Sequence, residues 1–268
     1  MYVAIIGPIC KEITILGEKR TEQARGVAYS TGQALASLGV QTTVFGSYND
    51  NDALNNKDFK FDLEHIAGDI VHPETLSRFD YVVFEPLFND NISSLTIKEY
   101  SRHLKGGNTK LVLASQGMFR YGQEDEIVWD KRKSVIDTLP SIDCVFFDKW
   151  ELEFISGKAK IVDGAKYLLK EAGVKNVIVT TGSKGSRLFF GNSEYVINAF
   201  PTNNLVSTTG AGDSYMAGFL KAKGLKYSPY NCIKFASMTA TMSIESNGPF
   251  NGTLEEVLTR VDEESKNL

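Results

Sequence analysis

Five short runs, Tyr2–Ile6, Tyr81–Phe84, Leu111–Ala114, Cys144–Phe147 and Val177–Thr180, are apolar almost throughout and rich in β-branched or aromatic residues. They are too short for helices and too apolar for strands with one wet face, so they read as strands buried on both sides. Gln41–Phe45 adds another strand, and Tyr195–Phe200 a late one. Between them lie segments of helical spacing at Ala28–Leu38, Ile92–Leu104, Val128–Leu139 and Ile161–Ala172, the first stopped by Gly39. Strands alternating with helices predict an α/β fold with a mostly parallel sheet covered on both faces.

The 268 residues, 42% of them hydrophobic, suffice for one large domain over 1–268. Two stretches fall outside the alternation. Glu12–Thr21 is polar around Ile13-Thr14-Ile15, and Phe59-Lys60-Phe61-Asp62-Leu63 alternates like a half-exposed strand. They predict a small β lid contributed by about 10–24 and 57–72. Asn49-Asp50-Asn51-Asp52 between them is a turn cluster.

A net charge of −4 with no basic cluster argues against a nucleic-acid partner. No apolar run approaches the length of a membrane span, and the first residues read as a strand rather than a signal peptide. Cys10, Cys144 and Cys232 are far apart and share no ligand spacing with His65, His72 or His103. They read as core thiols of a cytoplasmic protein.

The chemistry concentrates at Ser207-Thr208-Thr209-Gly210-Ala211-Gly212-Asp213-Ser214, which runs straight into a helix carrying Met216, Phe219 and Leu220. A turn without side chains exposes backbone N–H groups, and the helix adds its positive end, so the spot favours an anion. Asp213 fits poorly as a phosphate ligand, because like charges repel. It fits well as the base that takes a proton from an attacking hydroxyl while the amides of Gly210, Ala211 and Gly212 hold the transferring phosphoryl group. Taken alone, an Asp in a first helical turn is often only a cap.

The run from Ser207 to Phe219 resembles the C-terminal signature of the ribokinase-like (PfkB-type) carbohydrate kinases, [D/S]-T-x-G-A-G-D followed by a helix with A-G-F. Four further stretches line up with that family, and together they cover most of the chain. Arg25-Gly26-Val27-Ala28 through Leu38-Gly39 looks like the acceptor-pocket motif, with Arg25 for its first Gly and Ser30 for its usual Asn. Asp148-Lys149-Trp150-Glu151 resembles the N-x-x-E motif, in which Asp148 and Glu151 would organise Mg2+ through waters. By itself D-x-x-E marks a capped helix start. Thr180-Thr181-Gly182-Ser183-Lys184-Gly185 resembles the loop that meets the nucleotide. The small residues of Phe235–Thr241, Ser237 and Thr241 among them, resemble the adenine shelf. The chain lacks the G-x-x-x-x-G-K-[S/T] run of P-loop kinases.

The resemblance implies a three-layer αβα sandwich with a small β lid. It implies transfer of the γ-phosphate of ATP, with Mg2+, to a hydroxyl of a small sugar or polyol, with no nucleic-acid or membrane partner, by a monomer or homodimer. Gln116-Gly117-Met118-Phe119-Arg120 after Leu111–Ala114 is similar to the myo-inositol kinase branch, with Glu12 where that branch has an Asp. Glu12, Gly26, Gln116 and Arg120 are then the acceptor contacts. A nucleoside kinase and a non-catalytic sugar-binding relative are the alternatives.

Relatives that depend on potassium often carry an Asp at the position of Ser207, which has no charge to hold the ion. Rates in potassium and in tetramethylammonium at matched ionic strength are therefore expected to agree; strong potassium activation in a steady-state assay would refute this.

Overall fold

In a computed structural model of the chain, the described residues are 1–16, 19–46, 60–65, 71–88, 92–123, 126–129 and 133–266; over 11–25 and 121–129 the description is of the backbone. The chain opens with β1 (Tyr2–Ile6), then β2 (Cys10–Leu16) and β3 (Lys19–Arg25). Next come α1 (Val27–Ser37), β4 (Gln41–Gly46), β5 (Asp62–His65), α2 (Pro73–Leu76), β6 (Tyr81–Phe84), α3 (Ser94–Leu104) and β7 (Lys110–Ala114). The middle holds β8 (Arg120–Gln123), β9 (Glu126–Trp129), α4 (Lys133–Ile136), β10 (Cys144–Asp148), α5 (Lys149–Ser156), α6 (Ile161–Lys170) and β11 (Asn176–Thr180). It closes with β12 (Ser186–Phe190), β13 (Ser193–Ile197), α7 (Ala211–Gly224), α8 (Pro229–Ser243) and α9 (Leu254–Lys266).

Nine strands form one sheet in the order β13-β12-β11-β10-β7-β6-β1-β4-β5. All pairings are parallel except those of β12 with β11 and with β13. Alternation along the strands sends side chains to two separate cores. Val3, Ile5, Val83, Val112 and Phe146 pack with α1, α7 and α8. Ala4, Ile6, Phe84, Leu113 and Phe147 pack with α3, α5 and α6. The result is the three-layer αβα sandwich expected, each strand buried from both sides.

From β1 the chain first moves one way, to β4 and β5, then returns to place β6 on the other side of β1 and continues to β7, β10 and β11. The order therefore reverses between β1 and β6. In open parallel sheets the crevice at the carboxyl ends of two such strands is where ligands bind.

Two expectations change. The two lid segments go to different sheets. β2 and β3 form an antiparallel ribbon of their own, whereas β5 pairs in parallel with β4 and lies at the edge of the main sheet. Phe61, just before β5, is buried and packs on Gly32, where an added Cβ would lie 2.9 Å from its ring. That apolar anchor draws the segment to the core rather than to a flap. The other residues of 57–72 outside 60–65 and 71–72, and the Asn49–Asp52 cluster, lie outside the described residues. Finally, the expected helix over Val128–Leu139 is mostly something else. Ile127-Val128-Trp129 belong to β9, which pairs with β8 as a second ribbon, and helix is limited to α4. The β-branched and aromatic run favours a strand there.

α7 and α8 lie so close that a Cβ on Gly218 would sit 2.6 Å from Thr239 Oγ1 and 3.0 Å from Ala236 Cα. Gly218→Val should force the helices apart and cost about 1–3 kcal/mol, read as a lower midpoint in chemical denaturation. An unchanged midpoint would mean the interface is loose.

Candidate functional site

Five parallel strands each end on a residue facing the same edge of the sheet: Gly7 after β1, Glu85 after β6, Ser115 after β7, Asp148 at the end of β10 and Thr180 at the end of β11. Above this row α7 begins at Gly210, which takes the left-handed conformation (φ 80°) as its N-cap with no side-chain cap. An L side chain is strained there, so glycine suits the turn. The helix starts with bare amides at its positive end. Asp213 is in the first turn, and Ser214 caps back through its hydroxyl to the Gly210 carbonyl at 2.9 Å.

Burial raises the Asp213 carboxyl from its ordinary value to about 7, against the pull of a hydrogen bond from Ser30. Ser30 thus stands beside the acid through α1. At sequence level it is only a departure from the family's Asn. Gly26, the N-cap of α1 with φ 112°, lies where a Cβ would approach Pro8 O to 2.9 Å. Only a residue without a side chain lets α1 start this close to the end of β1.

The main functional group missed at sequence level is Glu85. It is fully buried at the β1/β6 switch point; its Oε1 accepts from Thr31 Oγ1 at 2.7 Å, and its Oε2 has no partner among the described residues. Burial and then the Asp213 charge push its pKa well above the usual carboxylate range. Two buried acids within reach of each other's charge resist ionising together. The available signal was positional: an acid directly after the apolar strand Tyr81–Phe84, where a buried strand should give way to a crevice.

Thr180, Gly182, Gly185, Ser237 and Thr241 lie together. All five line one cavity of about 660 Å³, together with Gly212 of the α7 turn. Gly185 has φ 88°, and a Cβ there would come within 2.0 Å of the Ile197 carbonyl, so no larger residue fits. Leu205, Ala240 and Ile244 make much of the wall apolar.

Asp148 and Glu151 form a complete capping box at the start of α5: Asp148 Oδ1 accepts from Glu151 N at 2.7 Å, and Glu151 Oε2 accepts from Asp148 N at 2.9 Å. Ser115 Oγ also donates to Glu151 Oε2, at 2.9 Å. Burial, then the Asp148 charge, raises Glu151 to about 7, opposed by these hydrogen bonds and by the nearby Arg120 guanidinium. Among the described residues no group of three or more His, Cys, Asp or Glu could hold a metal. The pair suits an ion that keeps most of its waters, as Mg2+ does.

Gln116 and Arg120 sit in the turn after β7. With its amide oxygen toward the guanidinium, Gln116 accepts from both Arg120 terminal nitrogens at 2.8 Å. Arg120 thus lies between Gln116 and Glu151. Glu12 is on β2 opposite Gln23, in the ribbon rather than at the end of a main-sheet strand; its side chain lies outside the described residues. No helix among the described residues is long and apolar enough to cross a membrane.

The nine-stranded, mostly parallel sheet covered by helices on both faces defines an α/β protein of the ribokinase-like fold. The chain belongs to the pfkB family of carbohydrate kinases, whose pattern matches residues 30–256. It is similar to the ribokinase of Arabidopsis thaliana, 32% identical over 117 residues that make up 42% of this chain and 31% of that one. The match thus spans about a third of that relative's length. Among solved structures it is similar in fold to a pyrophosphate-dependent kinase in the ribokinase family complexed with a pyrophosphate analog and myo-inositol, with a TM-score of 0.78, 20% identity, and 96% and 99% of the two chains covered. It is likewise similar to Arabidopsis thaliana ribokinase complexed with ribose and ATP, with a TM-score of 0.74, 19% identity, and 97% and 98% covered.

A base works only when deprotonated. With Asp213 titrating near 7, kcat/KM should rise with pH through neutrality and level off above about pH 8. A profile flat from pH 5.5 to 8 would show that Asp213 is not titrating in the free enzyme.

Proposed function

We propose that this chain transfers the γ-phosphoryl group of ATP to a hydroxyl of a small sugar or cyclic polyol. The observation that carries the reading is the placement of Asp213: it stands in the first turn of α7, near enough for its charge to act on Glu85 at the switch point, while Gly212 opens onto the cavity. The acceptor hydroxyl oxygen attacks the γ-phosphorus, its proton passes to the Asp213 carboxylate, and the bond from phosphorus to the β,γ-bridging oxygen breaks to release ADP. The Gly210, Ala211 and Gly212 amides hold the charge on the transferring group.

The acceptor lies between α1 and the ends of β1 and β6. Glu85, Thr31, Ser30 and Asp213 supply groups that pair with hydroxyls, which suits a ligand carrying many of them. Glu85 Oε2 then gains the partner it lacks. Glu12, Gly26, Gln116 and Arg120 complete the acceptor side, and the β2–β3 ribbon serves as its lid. The partly apolar wall of the donor cavity supports a nucleobase, which pyrophosphate lacks. Mg2+ bound with the nucleotide would offset phosphate charge, and Asp148 and Glu151 would hold it through water. A nucleoside acceptor is the second reading, favoured by Tyr29, next to Ser30 on α1 and in edge contact with Phe61 at 6.1 Å.

The test is ADP release across ribose, fructose, myo-inositol, adenosine and cytidine, with pyrophosphate as the alternative donor. A polyol or sugar should be preferred; a wide preference for a nucleoside would replace the acceptor reading. Asp213→Asn should cut kcat by roughly 10²–10⁴-fold with ATP affinity little changed. Activity within a few-fold of wild type would reduce Asp213 to a cap.

A further inference from the structure

One wall of the donor cavity is the stretch 199–208, which joins β13 to α7 without regular secondary structure. Phe200 is anchored in the core, but beyond it burial holds little: Leu205 and Val206 are 61% and 52% exposed. Such a segment stays in place only through the few bonds that tie it down. Two such ties reach the residues directly after α8, the helix that forms the facing wall. The Ile244 carbonyl accepts from Val206 N at 2.8 Å and from Ser207 N at 3.2 Å. One residue on, Glu245 Oε1 accepts from Thr202 Oγ1 at 2.6 Å, and that hydroxyl accepts from Asn204 N at 3.1 Å.

Glu245 is in turn gripped by α9. Arg260 Nη2 donates to Oε1 at 3.0 Å and Nη1 donates to Oε2, a two-point contact that orients the carboxylate. Thr202 and Ile244 line the cavity, but no residue of α9 does among the described lining. We propose that the Arg260–Glu245–Thr202 chain is a positioning device that sets the width of the donor cavity, so that α9 governs donor affinity without touching the donor. Arg260 also keeps the Glu245 carboxyl below its ordinary pKa, so the tie is charged throughout the neutral range.

The inference rests on the reading that this cavity takes ATP. Arg260→Met and Thr202→Val cut the chain at its two ends, and the second leaves the ion pair intact. In each, KM for ATP should rise about tenfold, the scale of one charge-assisted bond, with kcat and the acceptor KM within about twofold of wild type. Arg260→Lys should recover only part of the loss, because an ammonium cannot make the two-point contact. The double variant should be no worse than either single one if both cut the same chain. Folded variants with an unchanged KM for ATP, or with an equal rise in acceptor KM, would overturn the proposal. Should Arg260→Met fail to fold, Arg260→Lys, which keeps the charge and loses the two-point contact away from the cavity, decides it by the same rise in KM for ATP. Wild-type turnover with pyrophosphate and none with ATP would instead overturn the nucleotide reading, and the positioning role with it, before any variant is made.

Discussion

The seating of α7 is the interaction on which the site depends. Its N-terminus carries the glycine turn and Asp213, so a small tilt would move both away from the crevice. The helix is pinned along its length. Tyr215 shares a hydrogen bond with Ser186 at 2.7 Å, and Phe219 meets Phe146 edge to face at 5.5 Å. Gly218 lets α8 approach within van der Waals contact. α8 brings Ser237 and Thr241 to the cavity that Gly212 also lines, so one close helix pair sets the distance between Asp213 and that wall. Dense packing transmits such positions faithfully because interiors have little free volume to absorb error.

The electrostatics follow from where this packing puts the acids. Asp213 and Glu85 come from elements that are remote in sequence, and burial makes ionisation costly for both. Both carboxyls are held above the ordinary carboxylate range, and each has a hydroxyl of α1 beside it. Thr31 and Ser30, neighbours on α1, each hold one of the two. α1 therefore orders the acids through consecutive hydroxyls, and the close start of that helix at Gly26 is what brings them within reach.

The capping box at α5 shows how a motif can hold two meanings. Asp148 and Glu151 satisfy the first amides of the helix, as D-x-x-E does in many proteins. Their place at the end of β10, in the row with Gly7, Glu85, Ser115 and Thr180, is what makes a role near phosphates chemically sensible. Local geometry alone would have stopped at the cap.

Much of this was legible in the chain itself. The apolar runs named the buried parallel strands, because a strand covered on both faces needs no alternation. The turn Ser207–Asp213 stands out because glycines before a helix leave its amides bare, and an adjacent acid there is either a cap or a reacting group. Thr180, Gly182, Gly185, Ser237 and Thr241 were marked by their resemblance to family motifs, and the fold brings them to one cavity. Other features needed the tertiary structure. Glu85 looks ordinary in sequence; it matters because the strand order reverses beside it, and strand order is a property of long-range pairing. Ser30 reads as a lost Asn until α1 places it against Asp213. Phe61 reads as part of an exposed ribbon until the core claims its ring and pulls β5 to the sheet edge. Local patterns decide which face of a segment seeks the core, but burial and charge coupling arise only between segments distant in the chain.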